Sequence, residues 1–433
     1  MKLGELILAH GGPIALEPFS AKHLSDPLPA LGWLGQAIMA AVRLEGGWDV
    51  LRAFDALCWS SGFFAIAMAC RWRGASAGGV AIAIILAVIA ALPTASIRPQ
   101  SFALLCFGLL LALLRLDPRP AIKLAFGVPL LLLWQNLHPS VSLAGLALGC
   151  HALAGWWCWW RDGKSAAPWA ETALAVFAGL AMFATPDGWS ILAISAANAE
   201  MSVAIGVSEW LPLWHPGNWT NAMAMLALVL TGILFVWRAG SERIDLGEGL
   251  LALALAGATM FAYRFAAFWA PAMIPVISRS LTRAASPPGR EKAGRLGIGA
   301  ACVIAVLGLS PRIIPTHFDA TLPVSAVAAL KKQDVRGTVY ADFPYGGILI
   351  DAGWPRWKVA YDGRYYRYER DEWRYNGGIE TGIVPLRDVV HKWHPAAFLL
   401  NRHHNAPLAR SLARSPDWRL VFRDAQTVVY VPH

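Results

Sequence analysis

The sequence predicts a polytopic α-helical membrane protein of about ten transmembrane helices, followed by a small C-terminal α/β domain. Three observations carry that expectation. Hydrophobic residues make up 56% of the 433-residue chain and charged residues only 15%, with a mean hydropathy of +0.46, far from soluble averages. Between residues 51 and 310, apolar runs recur that are long enough to cross about 30 Å of hydrocarbon. After Pro311 the composition becomes that of ordinary globular sequence.

Taken in order, the chain opens on "MKLGELILAHGGPIALEPFS", which has no basic region followed by an apolar core. It reads as neither a signal peptide nor a first transmembrane helix, and residues 1–50 are expected to form part of an outer loop. Spans are expected near 51–70, 77–95, 99–115, 121–137, 140–160, 168–185, 219–237, 246–261, 264–281 and 294–310. Loops with Arg71 and Arg73, with Arg115, Arg119 and Lys123, with Arg161 and Lys164, with Arg238 and Arg243, and from Arg279 to Arg295 fall on one side. That side is expected to be cytoplasmic. "SPPGREKAGR" (286–295) reads as a linker there. Residues 1–50 and the 311–433 domain then lie outside, periplasmic or extracellular. An outside N-terminus without an upstream signal leads to the expectation that Met1 is internal to a longer gene product.

In the C-terminal part, helix-like "PVSAVAALKKQ" precedes strand-like "GTVYAD", "WKVAYDGR", "AAFLLN", "WRLVF" and "TVVYVP". A domain of mixed α/β type is expected there. The net charge of +9 is spread over short loops and the C-terminal part, which is a topology pattern and excludes a nucleic-acid stripe. All six cysteines sit in apolar runs without C-x-x-C spacing, so neither a disulfide framework nor a metal site is expected. The 21 tryptophans, several clustered as in "GWWCWWR", suit interfacial anchoring.

The informative residues are polar groups at the outer ends of helices. Arg98 and Arg264 are the lone basic residues of the short outer loops. One reading has them snorkel or close ion pairs; the other has them hold an anion such as a lipid phosphate, which suits the guanidinium fork. The same side gathers Asn136 and His138 in "WQNLHPS", Asp187 in "TPDGW", and Glu209, Trp210 and Trp214 in "SEWLPLWHPGNW". Ionisable groups at such positions face a bundle interior or a wet cavity and mark candidate sites. His138 alone reads as readily as an interfacial hydrogen-bonding residue, and no second His or Cys at metal spacing supports zinc.

In order along the chain, "GELILAHGGPIALEPFS", "LGWLGQ", "IRPQSF", "WQNLHPSVSLAG", "TPDGW", "SEWLP", "RFAAFWAPAMIP", "YADFPYGGILI", "KVAYDGR" and "DWRLVFRD" resemble bacterial membrane proteins related to the GT-C glycosyltransferase superfamily. The neighbourhood is that of the protein mannosyltransferase and aminoarabinose transferase families. The resemblance implies a GT-C-like helical bundle in the bacterial inner membrane. It also implies an enzyme that moves a sugar from a polyprenyl-phosphate donor to a glycan, lipid or protein acceptor at the outer face.

Such displacement needs a carboxylate to take the acceptor proton and cations to steady the departing phosphate. The resemblance puts the catalytic acid in the first outer loop, where Glu17 and Asp26 are the carboxylates this chain offers. An acidic-aromatic-His segment is usual in the group just before the match to "GELILAHG", at a position that would fall before Met1. Glu17 stands where Asp is common, and Pro139 where Gly is common. Substrate contacts would fall to Arg98, Gln100, Asn136, His138, Asp187, Glu209 and Arg264, and to Asp362 and Arg364 in "YDGRYYRYERDEWRY". The latter stretch reads equally as a strand passing through a turn into a surface helix, with Asp362 and Arg364 tying the domain to the membrane part. No cofactor is expected, and a divalent-metal requirement is left open. The alternative function is a non-catalytic component, a transporter or an assembly subunit, of an envelope polysaccharide pathway.

Overall fold

The structure, a computed structural model, describes residues 1–163, 165–239, 244–282 and 316–433, with 294, 296 and 299. Apart from those isolated positions, the span expected at 294–310 and the linker at 286–295 lie outside the described residues. The chain divides into two units: Leu31–Ile191 with Gly206–Thr316, and Met1–Ala30 with Leu192–Ile205 and His317–His433.

After α1 (Lys2–His10), the helical unit begins with α2 (Trp33–Trp72), α3 (Ala77–Ala91), α4 (Gln100–Leu116), α5 (Pro120–Leu137), α6 (Ser142–Asp162) and α7 (Trp169–Ala181). With α8 (Ser190–Ala204) the chain passes largely into the other unit, and it returns through α9 (Trp219–Ala239), α10 (Leu246–Phe261) and α11 (Ala266–Leu281). The starts follow from local chemistry. The Ser76 hydroxyl accepts from the Gly79 N–H at 3.1 Å to open α3, and Asp245 accepts from Gly247 and Glu248 to open α10. Pro120 occupies the first turn of α5, where its missing N–H costs nothing.

The expectation of a GT-C-like bundle of about ten spans is overturned. Among the described residues three helical stretches are long and apolar enough to cross a membrane: Trp33–Trp72, Ala77–Thr94 and Pro120–Leu137. The first of these begins well before residue 51, and Gly47, at φ 68°, bends it where only glycine adopts the backbone easily. The runs at 99–115, 168–185 and 246–261 form helices of 17, 13 and 16 residues. At 1.5 Å per residue these reach only about 20–26 Å of the roughly 30 Å required. The run at 264–281 forms a 16-residue helix interrupted by Pro271 and Pro275, and the 21-residue α6 and α9 are not among the three.

Two of the basic residues read as loop charges have buried side chains paired with carboxylates. Arg115 meets Glu248 at 2.9 Å with both side chains nearly inaccessible, and Lys123 meets Asp117 at 2.5 Å and also Glu171. Arg115 and Lys123 therefore hold helices together, and their charge is spent within the unit. Helices α2 and α4 pack backbone to backbone: a Cβ on Gly108 would fall 2.1 Å from the Gly62 carbonyl oxygen. Small residues permit that approach, as in membrane helix pairs.

The second unit carries the expected α/β domain. Its described elements after residue 317 are α12 (Val324–Lys331), β1 (Gly337–Ala341), α13 (Gly346–Gly353), β2 (Trp357–Val359), α14 (Arg370–Thr381), α15 (Leu386–Trp393), β3 (Pro395–Asn401), α16 (Ala406–Arg414), β4 (Trp418–Arg423) and β5 (Thr427–Pro432). The strands form one sheet in the order β2-β1-β3-β5-β4. β2, β1 and β3 run parallel, while β5 pairs antiparallel with β3 and β4.

Alternation along the strands builds a core on each face. Val339, Ala341, Ala397, Leu399, Val429 and Val431 pack with Ala326, Leu330 and Leu349 of α12 and α13. Tyr340, Phe398, Leu400, Val428 and Tyr430 pack with Trp373, Ile379, Val389, Trp393, Leu408 and Leu412 of α14, α15 and α16. The opening stretch of the chain joins this sheet. Val359 donates to the Phe19 carbonyl at 3.0 Å and Ala21 to the Val359 carbonyl at 2.9 Å, so residues 19–21 cover the open edge of β2.

Candidate functional site

In the helical unit, two short turns bring together residues that are distant in sequence. Leu213 donates to the Met260 carbonyl and Tyr263 to the Leu211 carbonyl, which places the turn at Ser208–Trp210 against the turn at Tyr263–Phe265. As a result the Arg264 guanidinium lies 4.0 Å from the centre of the Trp210 ring. Nearby, Arg98 donates to Glu209 at 3.2 Å across a solvent-accessible pair.

Arg264 has no hydrogen-bond acceptor or carboxylate partner among the described residues. Burial pulls its pKa down from the ordinary arginine value, with Glu209 opposing and Arg98 adding to the shift; the group remains a cation. His138, held through Nδ1 at 2.8 Å from the Ser140 hydroxyl, has its pKa pushed down to about 3 by burial and then by the Arg264 charge. At neutral pH it is a neutral imidazole. The site thus combines a stacked, acceptor-poor guanidinium with a neutral hydrogen-bonding ring and a nearby Arg-Glu pair.

The remaining residues expected at this side serve other ends. The Asn136 amide is fully engaged, accepting from Trp33 at 2.9 Å and donating to the Leu132 and Ala184 carbonyls, so it ties α2, α5 and the turn after α7. Gln100 is half-buried in the first turn of α4, close in sequence to Arg98. Asp187 sits in the turn before α8, where its carbonyl accepts from the Ser190 hydroxyl.

Glu17, Asp26, Asp362 and Arg364 belong to the other unit. Arg364 grips Glu17 with two N–H groups, at 2.6 and 2.9 Å, and Asp362 with two more, at 3.0 and 2.6 Å. Glu17 also accepts from the Phe19 and Ser20 N–H groups, and its side chain is 0% exposed. Both of its oxygens are occupied, so it anchors residues 17–20 and has no free lone pair facing solvent for an acceptor proton. Asp362 and Arg364 accordingly tie the domain to the opening stretch of the chain.

Asp26 bonds His23 at 2.9 Å, and the opposite ring nitrogen of His23 meets Glu372 at 3.1 Å. The Glu372 hydrogen bond raises the His23 pKa against the opposing effect of burial, with Asp26 adding to the rise. Asp26 is half-exposed and is one arm of this carboxylate-His-carboxylate latch.

A further cluster was not expected from sequence. Asp342, Glu380 and His404 bring one ligand-type atom each to within 4.8 Å of one another. They come from residues 342, 380 and 404, so no local spacing advertises them; the signal in the sequence was only that Asp342 and His404 follow strand-like runs.

A scan of the chain against protein-family models finds no match, and no curated protein matches it.

Proposed function

We propose that this chain binds a polyprenyl-phosphate-linked sugar through Arg264 and Arg98 and transfers the sugar to an envelope glycan, lipid or protein acceptor. The reaction is assigned to the outer face of a bacterial inner membrane, with residues 317–433 on the periplasmic or extracellular side. The observation that carries the reading is the half-buried Arg264, stacked on Trp210 and lacking an acceptor of its own among the described residues. A desolvated guanidinium with free N–H donors favours a phosphate oxygen over water, while the indole holds its plane. Neutral His138 would add a hydrogen bond without competing charge. The order of motifs that resembles membrane glycosyltransferases supplies the transfer chemistry.

Occupation of Glu17 in its clamp and of Asp26 in its latch favours a second reading, in which the same site binds the lipid phosphate without transferring sugar. One experiment separates them. Polyprenyl phosphate is titrated into the full chain in nanodiscs, and transfer from a polyprenyl-phosphate sugar is followed in parallel. The double variant R98A/R264A is expected to lose about 10- to 100-fold in affinity, as for loss of charge-assisted hydrogen bonds. Wild-type affinity in a double variant that melts normally would overturn phosphate binding here, and binding without transfer would establish the non-catalytic reading.

A further inference from the structure

The sheet of the α/β unit has a reversal point. From β1 the chain goes through α13 to β2 on one side, then returns through α14 and α15 to β3 on the other. The connections leaving the C-terminal ends of β1 and β3 therefore part in opposite directions, which opens the crevice where open α/β sheets take ligands.

Asp342 follows the last residue of β1, His404 lies in the turn after β3, and Glu380 lies in the last turn of α14. The His404 Nδ1 atom stands 3.1 Å from both Asp342 oxygens, and its Nε2 atom 3.4 Å from Glu380 Oε2. Asp342 is buried, while His404 is 47% exposed on its side chain, so the cluster has a wall and an entrance.

The surroundings hold each group in place. Asn376 donates to Glu380 Oε1 at 2.6 Å, leaving Oε2 for the crevice, and Tyr340 donates to Asn376 at 3.2 Å. Asn401 accepts from the His403 and His404 N–H groups and donates to the Tyr345 hydroxyl. Outer partners of this kind orient metal ligands. Two carboxylates held beside one imidazole also carry a net negative charge that a cation would neutralise.

We propose that Asp342, Glu380 and His404 bind one divalent transition-metal ion in this crevice. One nitrogen and two oxygen donors suit zinc or manganese better than calcium, which takes six to eight oxygens. On binding, the His404 ring exchanges one carboxylate hydrogen bond for the metal, and three protein ligands leave a position open for water or an anionic oxygen. The inference is independent of the lipid-phosphate reading, because its residues and its probe are different.

The test uses the full chain in detergent, stripped with EDTA and titrated calorimetrically with ZnCl2 and, separately, with MnCl2. One saturable equivalent of at least one ion is expected. His404→Ala and Asp342→Asn are each expected to weaken it by about 100-fold, and Asn376→Ala, which removes the hydrogen bond that holds Glu380 and also that from the Tyr340 hydroxyl, by about 10-fold. Failure of the wild type to bind either ion saturably would overturn the proposal and leave the cluster as a hydrogen-bonded latch. So would unchanged stoichiometry and affinity in His404→Ala. If His404→Ala or Asp342→Asn does not melt cooperatively, the wild-type titration and Asn376→Ala decide.

Discussion

Replacing Arg364 with alanine would leave the buried carboxylates of Glu17 and Asp362 without their shared cation. Loss of one partner from such a cluster costs about 3–5 kcal/mol, with Arg367, 3.5 Å from Glu17, offsetting part of it. Chemical denaturation of R364A should show a loss near the lower end of that range; a loss under about 1 kcal/mol would refute the anchoring role. His23 makes a prediction in pH. Its pKa is raised in the folded protein, so its contribution is full below its ordinary value near 6.5 and fades as pH rises through the folded value. Glu372, lowered in pKa by His23 against its burial, must stay ionised, so the contribution also fades as pH falls through the Glu372 value. The melting-temperature gap between wild type and His23→Ala should therefore be widest below about pH 6.5, as long as Glu372 stays ionised, and close as pH rises through the raised His23 value. A gap that widens with alkalinity would exclude the latch. Of these residues, sequence order singled out Glu17, Asp362 and Arg364 as notable, but their pairing spans most of the chain and no local pattern encodes it.

The same is true of elements. Every strand of the α/β unit was legible as a short apolar run rich in β-branched or aromatic residues, and the structure finds strands at 337–341, 357–359, 395–401, 418–423 and 427–432. Residues 19–21 had no such pattern. They pair with β2 because its edge would otherwise leave backbone groups unpaired. Substituting Ala21 with proline removes the N–H that meets the Val359 carbonyl and should cost about 1–3 kcal/mol. Amide exchange at Val359 is expected to speed up in A21P; unchanged protection would show that the edge pairing contributes nothing. The helix starts at Ser76, Pro120 and Asp245 and the bend at Gly47 emerged only in the structure; the Gly46-Gly47 pair lies in the polar stretch "RLEGGWD", where glycines have several uses.

For the whole molecule, the three stretches long and apolar enough to cross a membrane among the described residues predict that the expressed chain sediments with membranes and stays there after alkaline carbonate extraction. Release into the supernatant would count against membrane integration. The count of spans was misread because a run of apolar residues reports burial without saying whether lipid or protein does the burying. Helix α11 illustrates this: Ala266 through Ser278 are buried in the helical unit, so their apolarity reflects contact with other helices. Arg115 and Lys123 misled in the same way, as cations paired inside the protein say little about which side of a membrane a loop faces.

Sequence by itself determined what depends on composition and short-range period: a chain with membrane-type hydropathy, an α/β unit after Pro311, the strand positions within it, and the polar residues that stand out at helix ends. Tertiary structure decided what depends on meetings between distant residues. It put Arg264 over Trp210, Glu17 into the grip of Arg364, and Asp342, Glu380 and His404 around one crevice. The physical reason is range. Backbone geometry repeats every two or 3.6 residues and leaves its mark on neighbouring letters, while an ion pair or a ligand cluster needs only proximity in space, which the folded chain alone supplies.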